Sequence, residues 1–220
     1  MGGSICGWGS VDTADQWSAH WGSGQVRCAA FLEALDRQPC CAAITTPERL
    51  ELALESRTRV IFLLRADGLA IEPLVRRIHD AGRLVAVHLD LVDGLRPDRA
   101  GVVWLARAGA DAIISSQGQL MPAIRREGAV AIHRLLLVRR SLLGAAVAAV
   151  LRSGADVVEV LPGVILPEVA DRLPPLRVPL LAGGFIRTSD QARAALSAGA
   201  RAVTTSSVGL WNLEFGRGDR

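Results

Sequence analysis

From Pro39 onward, short apolar runs rich in β-branched residues alternate with stretches whose apolar residues recur at helical spacing. The runs are Cys40–Ile44, Val60–Leu64, Leu84–Leu89, Ala112–Ser115, Ala129–His133, Val157–Leu161, Val178–Ala182 and Ala202–Thr205. They are continuously apolar rather than alternating, which is the pattern of strands covered on both faces in a parallel sheet. Between them lie amphipathic segments such as Leu69–Ala81, Asp98–Ala108, Leu142–Arg152 and Gln191–Ala198. The steps Ala81-Gly82, Ala108-Gly109 and Ala198-Gly199 put glycine where a helix closes in the left-handed conformation. Eight strand-then-helix units predict an α/β chain folded as one (β/α)8 TIM-type barrel with a short eighth helix. A doubly wound open sheet is the alternative, but it would show a Gly-rich first turn, and none follows Ile44.

The barrel is expected over residues 38–216, with 217–220 as a tail. Residues 1–37 hold three of the five tryptophans and many Gly, Ser, Asp and Gln residues with little periodicity. They are expected to form a flexible N-terminal extension, within which Arg27–Arg37 has the pattern of one short helix. A chain of 220 residues is ordinary for a single barrel. Half its residues are apolar and 21% are charged, which excludes a disordered chain. The net charge of +3 permits a phosphate-bearing partner without demanding one.

All 25 of the Lys and Arg positions are Arg, and Tyr is absent too. Without lysine there is no Schiff base, so imine-forming aldolases and decarboxylases and pyridoxal phosphate enzymes are excluded. Phosphate-loop NTPases are excluded for the same missing residue. Cys6, Cys28, Cys40 and Cys41 have no CxxC spacing and make no disulfide framework, so a reducing cytoplasm and no zinc site are expected. Met1 to Ser10 lacks a signal-peptide pattern, and the longest uncharged apolar run, Ser141 to Leu151, is too short for a membrane span.

In such a barrel, chemistry collects at the C-terminal strand ends. There the third run ends in His88-Leu89-Asp90, the fifth in His133-Arg134, and the sixth contains Glu159. The seventh ends in Gly183-Gly184, followed by Arg187, and the eighth in Thr205-Ser206. A Gly-Gly turn after strand seven and a Ser/Thr run after strand eight have the composition of a phosphate cradle, with Arg187 adding a charged contact. The bland alternative is a tight turn and a helix cap. His88 and Asp90 stand two apart, hence on one side of a strand. With Glu159 and His133 they form either a metal or acid–base cluster, or a polar lining for ligand hydroxyls. Strand seven ends without a carboxylate and the first two strands offer no ligand, so no metal and no cofactor are expected. His79, mid-helix, is expected at the surface. Arg139-Arg140 follow strand five on the functional face, where a cationic pair can meet a nucleic-acid backbone or the ligand.

The stretches VIFLL, AGRLVAVHLDLVDGL, GADAIISS, AIHRLLL, ADVVEVLPGV, PLLAGGFIRTSD and GARAVTTSSVGLW occur in that order from about Cys40 to Trp211. Through them the chain resembles the glycerol-3-phosphate-responsive antiterminators, regulators of glycerol uptake operons. The resemblance implies a barrel that binds glycerol 3-phosphate and acts on leader mRNA, as an oligomer or alone, in the cytoplasm. It implies a ligand pocket containing Asp90, Glu159, Gly183, Gly184, Thr205 and Ser206, with Arg134 and Arg187 as cations. The chain departs from the family pattern at Thr45, where an Arg is expected, at His133 for Gln, at Arg139-Arg140 for Asp-Ser and at Ser207 for Asn. The expected function is therefore a non-enzymatic, ligand-responsive antiterminator. The alternative is an epimerase- or phosphodiesterase-like enzyme on a small phosphate ester, with His88, Asp90 or Glu159 as acid–base.

Overall fold

The computed structural model describes residues 24–139, 143–173 and 178–215. Eight parallel strands close into a barrel: β1 (Cys40–Ile44), β2 (Val60–Leu63), β3 (Leu84–His88), β4 (Ala112–Ser115), β5 (Val130–Leu136), β6 (Val157–Leu161), β7 (Leu180–Gly183) and β8 (Ala202–Thr205). Each pairs with its neighbour in chain order, and β8 pairs with β1 through Cys40↔Val203 and Cys41↔Thr204. The helices are α1 (Gly24–Arg37), α2 (Leu50–Glu55), α3 (Ile71–Asp80), α4 (Arg99–Arg107), α5 (Met121–Arg126), α6 (Leu143–Ser153), α7 (Leu166–Val169) and α8 (Ser189–Ser197). A single 3₁₀ turn, Val208–Leu210, follows β8.

Local chemistry sets these boundaries. Asp98 caps α4 by accepting from Gly101 N at 3.0 Å. Thr188 and Gln191 form a reciprocal capping box at α8. Gly82, Gly109 and Gly199 have φ of +68°, +95° and +98°, the left-handed closures expected from the sequence.

Strand alternation sorts the side chains into two cores. Cys41, Ala43, Phe62, Ala86, Ile114, Ile132, Val157, Leu181 and Ala202 point into the barrel, while Ala42, Ile61, Val85, Ile113, Ala131, Val158 and Val203 pack against the helices. The inner core includes Phe31 and Leu35 of α1, both fully buried. This corrects the expectation of a flexible extension for its second half: residues 24–37 close the N-terminal end of the barrel. Burying two such side chains stabilises by roughly 1.5–3 kcal/mol each. A bidentate Arg201–Asp36 pair (2.9 and 2.6 Å) and the Gln38 amide, which donates to the carbonyls of Trp211 and Leu213, hold α1 in place. Residues 1–23 and 217–220 lie outside the described residues.

Two further departures have simple causes. His79 is half-buried rather than free at the surface, because its Nε2 meets Asp111 Oδ2 at 2.8 Å and ties α3 to the start of β4. The loops after β2 and β3 pair with each other as two-residue strands, Ala66–Asp67 and Val92–Asp93, above the C-terminal end. Among the described residues no helix is long and apolar enough to cross a membrane.

Candidate ligand pocket

Two residues beyond the inner core, the strands carry polar side chains at the C-terminal mouth. Arg134 of β5 and Glu159 of β6 are register partners on the inner face. Arg134 Nε and Nη2 each donate to Glu159 Oε2 at 2.8 Å. The Thr204 hydroxyl donates to Glu159 Oε1 at 2.7 Å. Glu159 is fully buried and Arg134 nearly so, so the pair is shielded from solvent screening and held in one geometry. Gly183 makes room for it, because a Cβ there would lie 2.5 Å from both Glu159 Oε1 and Thr204 Oγ1.

The network continues on the other side of Arg134. Its Nη1 donates to His88 Nδ1 at 3.1 Å, so His88 presents a lone pair and is neutral. Burial, and then the Arg134 charge, pull the His88 pKa down to about 4, against a smaller opposing pull from Asp90. Asp90 accepts from the Ser115 hydroxyl (2.5 Å) and from the Ser116 backbone N–H (2.8 Å) and hydroxyl. Burial would raise its pKa, but these hydrogen bonds hold it below the usual carboxylate value. The unfolded chain takes up the His88 proton near pH 6.5 and the folded chain near 4. Stability is thus fully present above pH 6.5 and is lost as pH falls through that window. The expected slope is up to about 1.4 kcal/mol per pH unit, and His88→Gln is expected to flatten it. Urea midpoints for the two proteins at pH 7 and 5 check this; equal midpoints for the wild type at both would refute it.

A cavity of about 310 Å³ opens above the Arg134–Glu159 pair. Its walls come from the loops after β7 and β8, through Gly184, Ile186, Arg187, Thr205 and Ser206, with Thr45 and Leu161 opposite. Those two loops are joined. The Thr205 hydroxyl donates to the Ile186 carbonyl at 2.6 Å, and the buried Trp211 indole donates to the Thr205 carbonyl at 2.8 Å. The wall is therefore built before any ligand arrives.

Seven of the ten predicted pocket residues come together here. Arg134, Glu159, Gly184, Arg187, Thr205 and Ser206 line the cavity, and Gly183 shapes its floor. Asp90 and His88 do not line it. β3 ends at His88, and Asp90 sits in the 3₁₀ turn Leu89–Leu91, not on the strand, so His88 backs Arg134 while Asp90 stands behind His88, 3.8 Å from its Nε2. His133 is not in the pocket at all. It is one residue from Arg134 and so faces outward, against Gly118 and Ser153, with Nδ1 buried and unpartnered. The Thr205 hydroxyl, too, is committed to Ile186 rather than open to a ligand. His88, Asp90, Glu159 and His133 thus do not converge, and no group of three potential metal ligands exists among the described residues.

Four contributors were missed from the sequence, Thr204 on the pocket floor among them. Leu161 fills the space beside Gly184, where a Cβ would meet its Cδ1 at 2.6 Å. Arg49 reaches from the first loop to the Ser206 carbonyl at 2.8 Å, bringing a guanidinium beside the β8 loop at the mouth. Phe185, exposed and at φ +60°, holds its ring 6.0 Å from the Arg187 guanidinium carbon. The Gly-Gly step before it announces an unusual turn, but nothing in the residue type announces the left-handed phenylalanine.

Comparison with known proteins places this geometry among relatives. The pattern described as "Glycerol-3-phosphate responsive antiterminator" matches residues 40–211. The chain is 32% identical over 184 residues to the uncharacterized protein YgcP of Escherichia coli, across 83% of this chain and 96% of that one. A crystal structure of the glycerol uptake operon antiterminator regulatory protein from Listeria monocytogenes is similar at a TM-score of 0.75 and 31% identity, covering 79% of this chain and 95% of the other. A glycerol uptake operon antiterminator-related protein from Thermotoga maritima gives 0.70 and 29%, covering 78% and 96%. Deoxyribose phosphate aldolase from Aeropyrum pernix, at 17% identity and a TM-score of 0.65, shares the fold alone.

Proposed function

The chain belongs to the glycerol-3-phosphate responsive antiterminator family, and from that premise we propose that it is a ligand-responsive antiterminator whose effector, glycerol 3-phosphate, binds in the pocket at the C-terminal end of the barrel. The observation that carries this is the preformed 310 Å³ cavity, polar at its floor and walled by the β7 and β8 loops. It lies at the low end of the roughly 300–1,000 Å³ typical of small-molecule sites. The phosphate belongs against Gly184, Arg187 and Ser206, three residues of the cavity wall that offer a guanidinium, a hydroxyl and a turn without side-chain bulk. The glycerol hydroxyls belong over Arg134, Glu159 and Thr204. Catalysis is disfavoured by the same site. Glu159 is locked between Arg134 and Thr204, His88 and Asp90 stand behind the wall, and the imine route of the aldolase-like barrels needs a lysine.

Leader mRNA is the proposed macromolecular partner. Arg139 is exposed just past β5, on the same end of the barrel as the pocket; Arg140 lies outside the described residues. Ligand that biases the mouth loops alters RNA affinity, and by linkage RNA alters ligand affinity by the same factor. Calorimetry with glycerol 3-phosphate, glycerol and inorganic phosphate tests the effector. Leader RNA titrated with and without the effector tests the output. The expected result is tight binding of glycerol 3-phosphate alone and an effector-dependent shift in RNA affinity; no RNA binding at any salt, with or without effector, would favour the enzyme reading.

Arg187→Ala is expected to weaken effector binding by about 1.5–3 kcal/mol, roughly ten- to hundredfold, as loss of a charged hydrogen bond does. A loss under about 0.5 kcal/mol in calorimetry would return Arg187 to a stacking role on Phe185.

A further inference from the structure

The barrel has a second polar cleft, of about 600 Å³, at its opposite, N-terminal end. Arg37 at the end of α1, Arg57 and Arg59 before β2, and Arg83 before β3 line it, together with Ser56 and Glu214. Two of these guanidiniums are balanced: Arg37 pairs with Glu33 and Arg57 with Glu214. Arg59 and Arg83 have no ion-pair partner among the described residues. Arg83 is pinned by one hydrogen bond, from Nη2 to the Ser56 carbonyl at 3.1 Å, and its Nε is buried without an acceptor. Burial, and then the facing charge of Arg59, pull the Arg83 pKa below its usual value. A buried donor left unpaired beside a like charge is costly unless an anion completes it.

We propose that this cleft is an anion site for a chain of phosphate groups, a polyphosphate or a phosphodiester backbone, gripped between Arg59 and Arg83. Guanidinium forks match phosphate oxygens in pairs. Four arginines along one cleft call for more than one phosphate, and Arg57 and Arg37, both exposed, can turn from their surface carboxylates toward further groups at little cost. α1 plugs the barrel between the two ends, so this site does not depend on the reading of the ligand pocket.

The test uses the full chain with two probes at low salt: calorimetry with tripolyphosphate, and anisotropy of a labelled uridine oligonucleotide of about a dozen residues. Arg59→Glu is the informative variant, because Arg59 is exposed and its side chain holds nothing else. It is expected to weaken binding at least tenfold and to flatten the salt dependence by about one unit. It is also expected to melt no lower than wild type, since the new carboxylate relieves the Arg59–Arg83 repulsion. Binding of RNA alone that weakens in Arg59→Glu would identify a phosphodiester strand, and binding of tripolyphosphate alone that weakens in the same variant a free polyphosphate; either supports the site. Binding of neither, wild-type affinity in Arg59→Glu, or equal competition by polyglutamate would overturn it.

Discussion

Glu159→Leu is expected to lower the stability of the fold by about 3–5 kcal/mol and to abolish effector binding. The carboxylate is fully buried and takes two hydrogen bonds from Arg134 and one from Thr204. Removing it strands a guanidinium that is 8% exposed, with only His88 left to accept from it. The cost comes from that orphaned charge rather than from the pair's own attraction. The double variant Arg134→Met with Glu159→Leu is therefore expected to recover most of the stability, because an apolar pair of similar volume needs no desolvation. It recovers none of the binding, since the polar floor is gone. Urea denaturation and calorimetry on the single and double variants check both halves. A single variant that loses less than about 1 kcal/mol would mean that Arg134 finds another partner.

Gly184→Val is expected to reduce effector affinity by more than about a hundredfold, which is roughly 3 kcal/mol, and to destabilise the fold by about 1–3 kcal/mol. From sequence alone this variant reads as one that spares the fold, since the glycine serves only backbone approach to the phosphate. The structure adds two costs. The residue sits at φ +84°, where a β-branched side chain is strained, and any Cβ there runs into Leu161. A thermal melt reports the strain and calorimetry the affinity. Wild-type affinity in a folded variant would remove Gly184 from the phosphate site.

The sequence was most informative where local pattern and global packing agree. Continuous apolar runs located all eight strands, because each is covered on both faces and carries its signal in every residue. β5 reaches three residues further than its apolar run. Arg134 looked like a strand end, yet its charge is neutralised from β6, by a residue 25 positions away that no local pattern contains. Pro179 delays β7 by removing a donor at the start of the predicted run. In the pocket, alternation puts Arg134 and Glu159 on the inner face and makes Thr204, not the expected Thr205, the inward residue of β8; the same rule sends His133 to the outside. Spacing of two failed for His88 and Asp90 because the strand ends between them. The packing of α1 was hidden because its apolar contacts, Phe31 and Leu35, complete the inside of a barrel formed by distant segments.

The closure of β1 on β8 also fixes the order in which the molecule can be made. β1 is among the first barrel segments to leave the ribosome, and its partner across the seam, Ala202–Thr205, is the last. At about 5–20 residues per second, the gap between them is on the order of 10–30 s. During that interval β1 has an open edge on one side of the growing sheet, and the newest strand has one on the other. The polar floor is equally late. Glu159 emerges before Thr204, so for its last stretch of synthesis the nascent chain carries the Arg134–Glu159 pair without the hydroxyl that completes it. Cotranslational protection of this protein is therefore a matter of shielding two strand edges until a single late segment arrives.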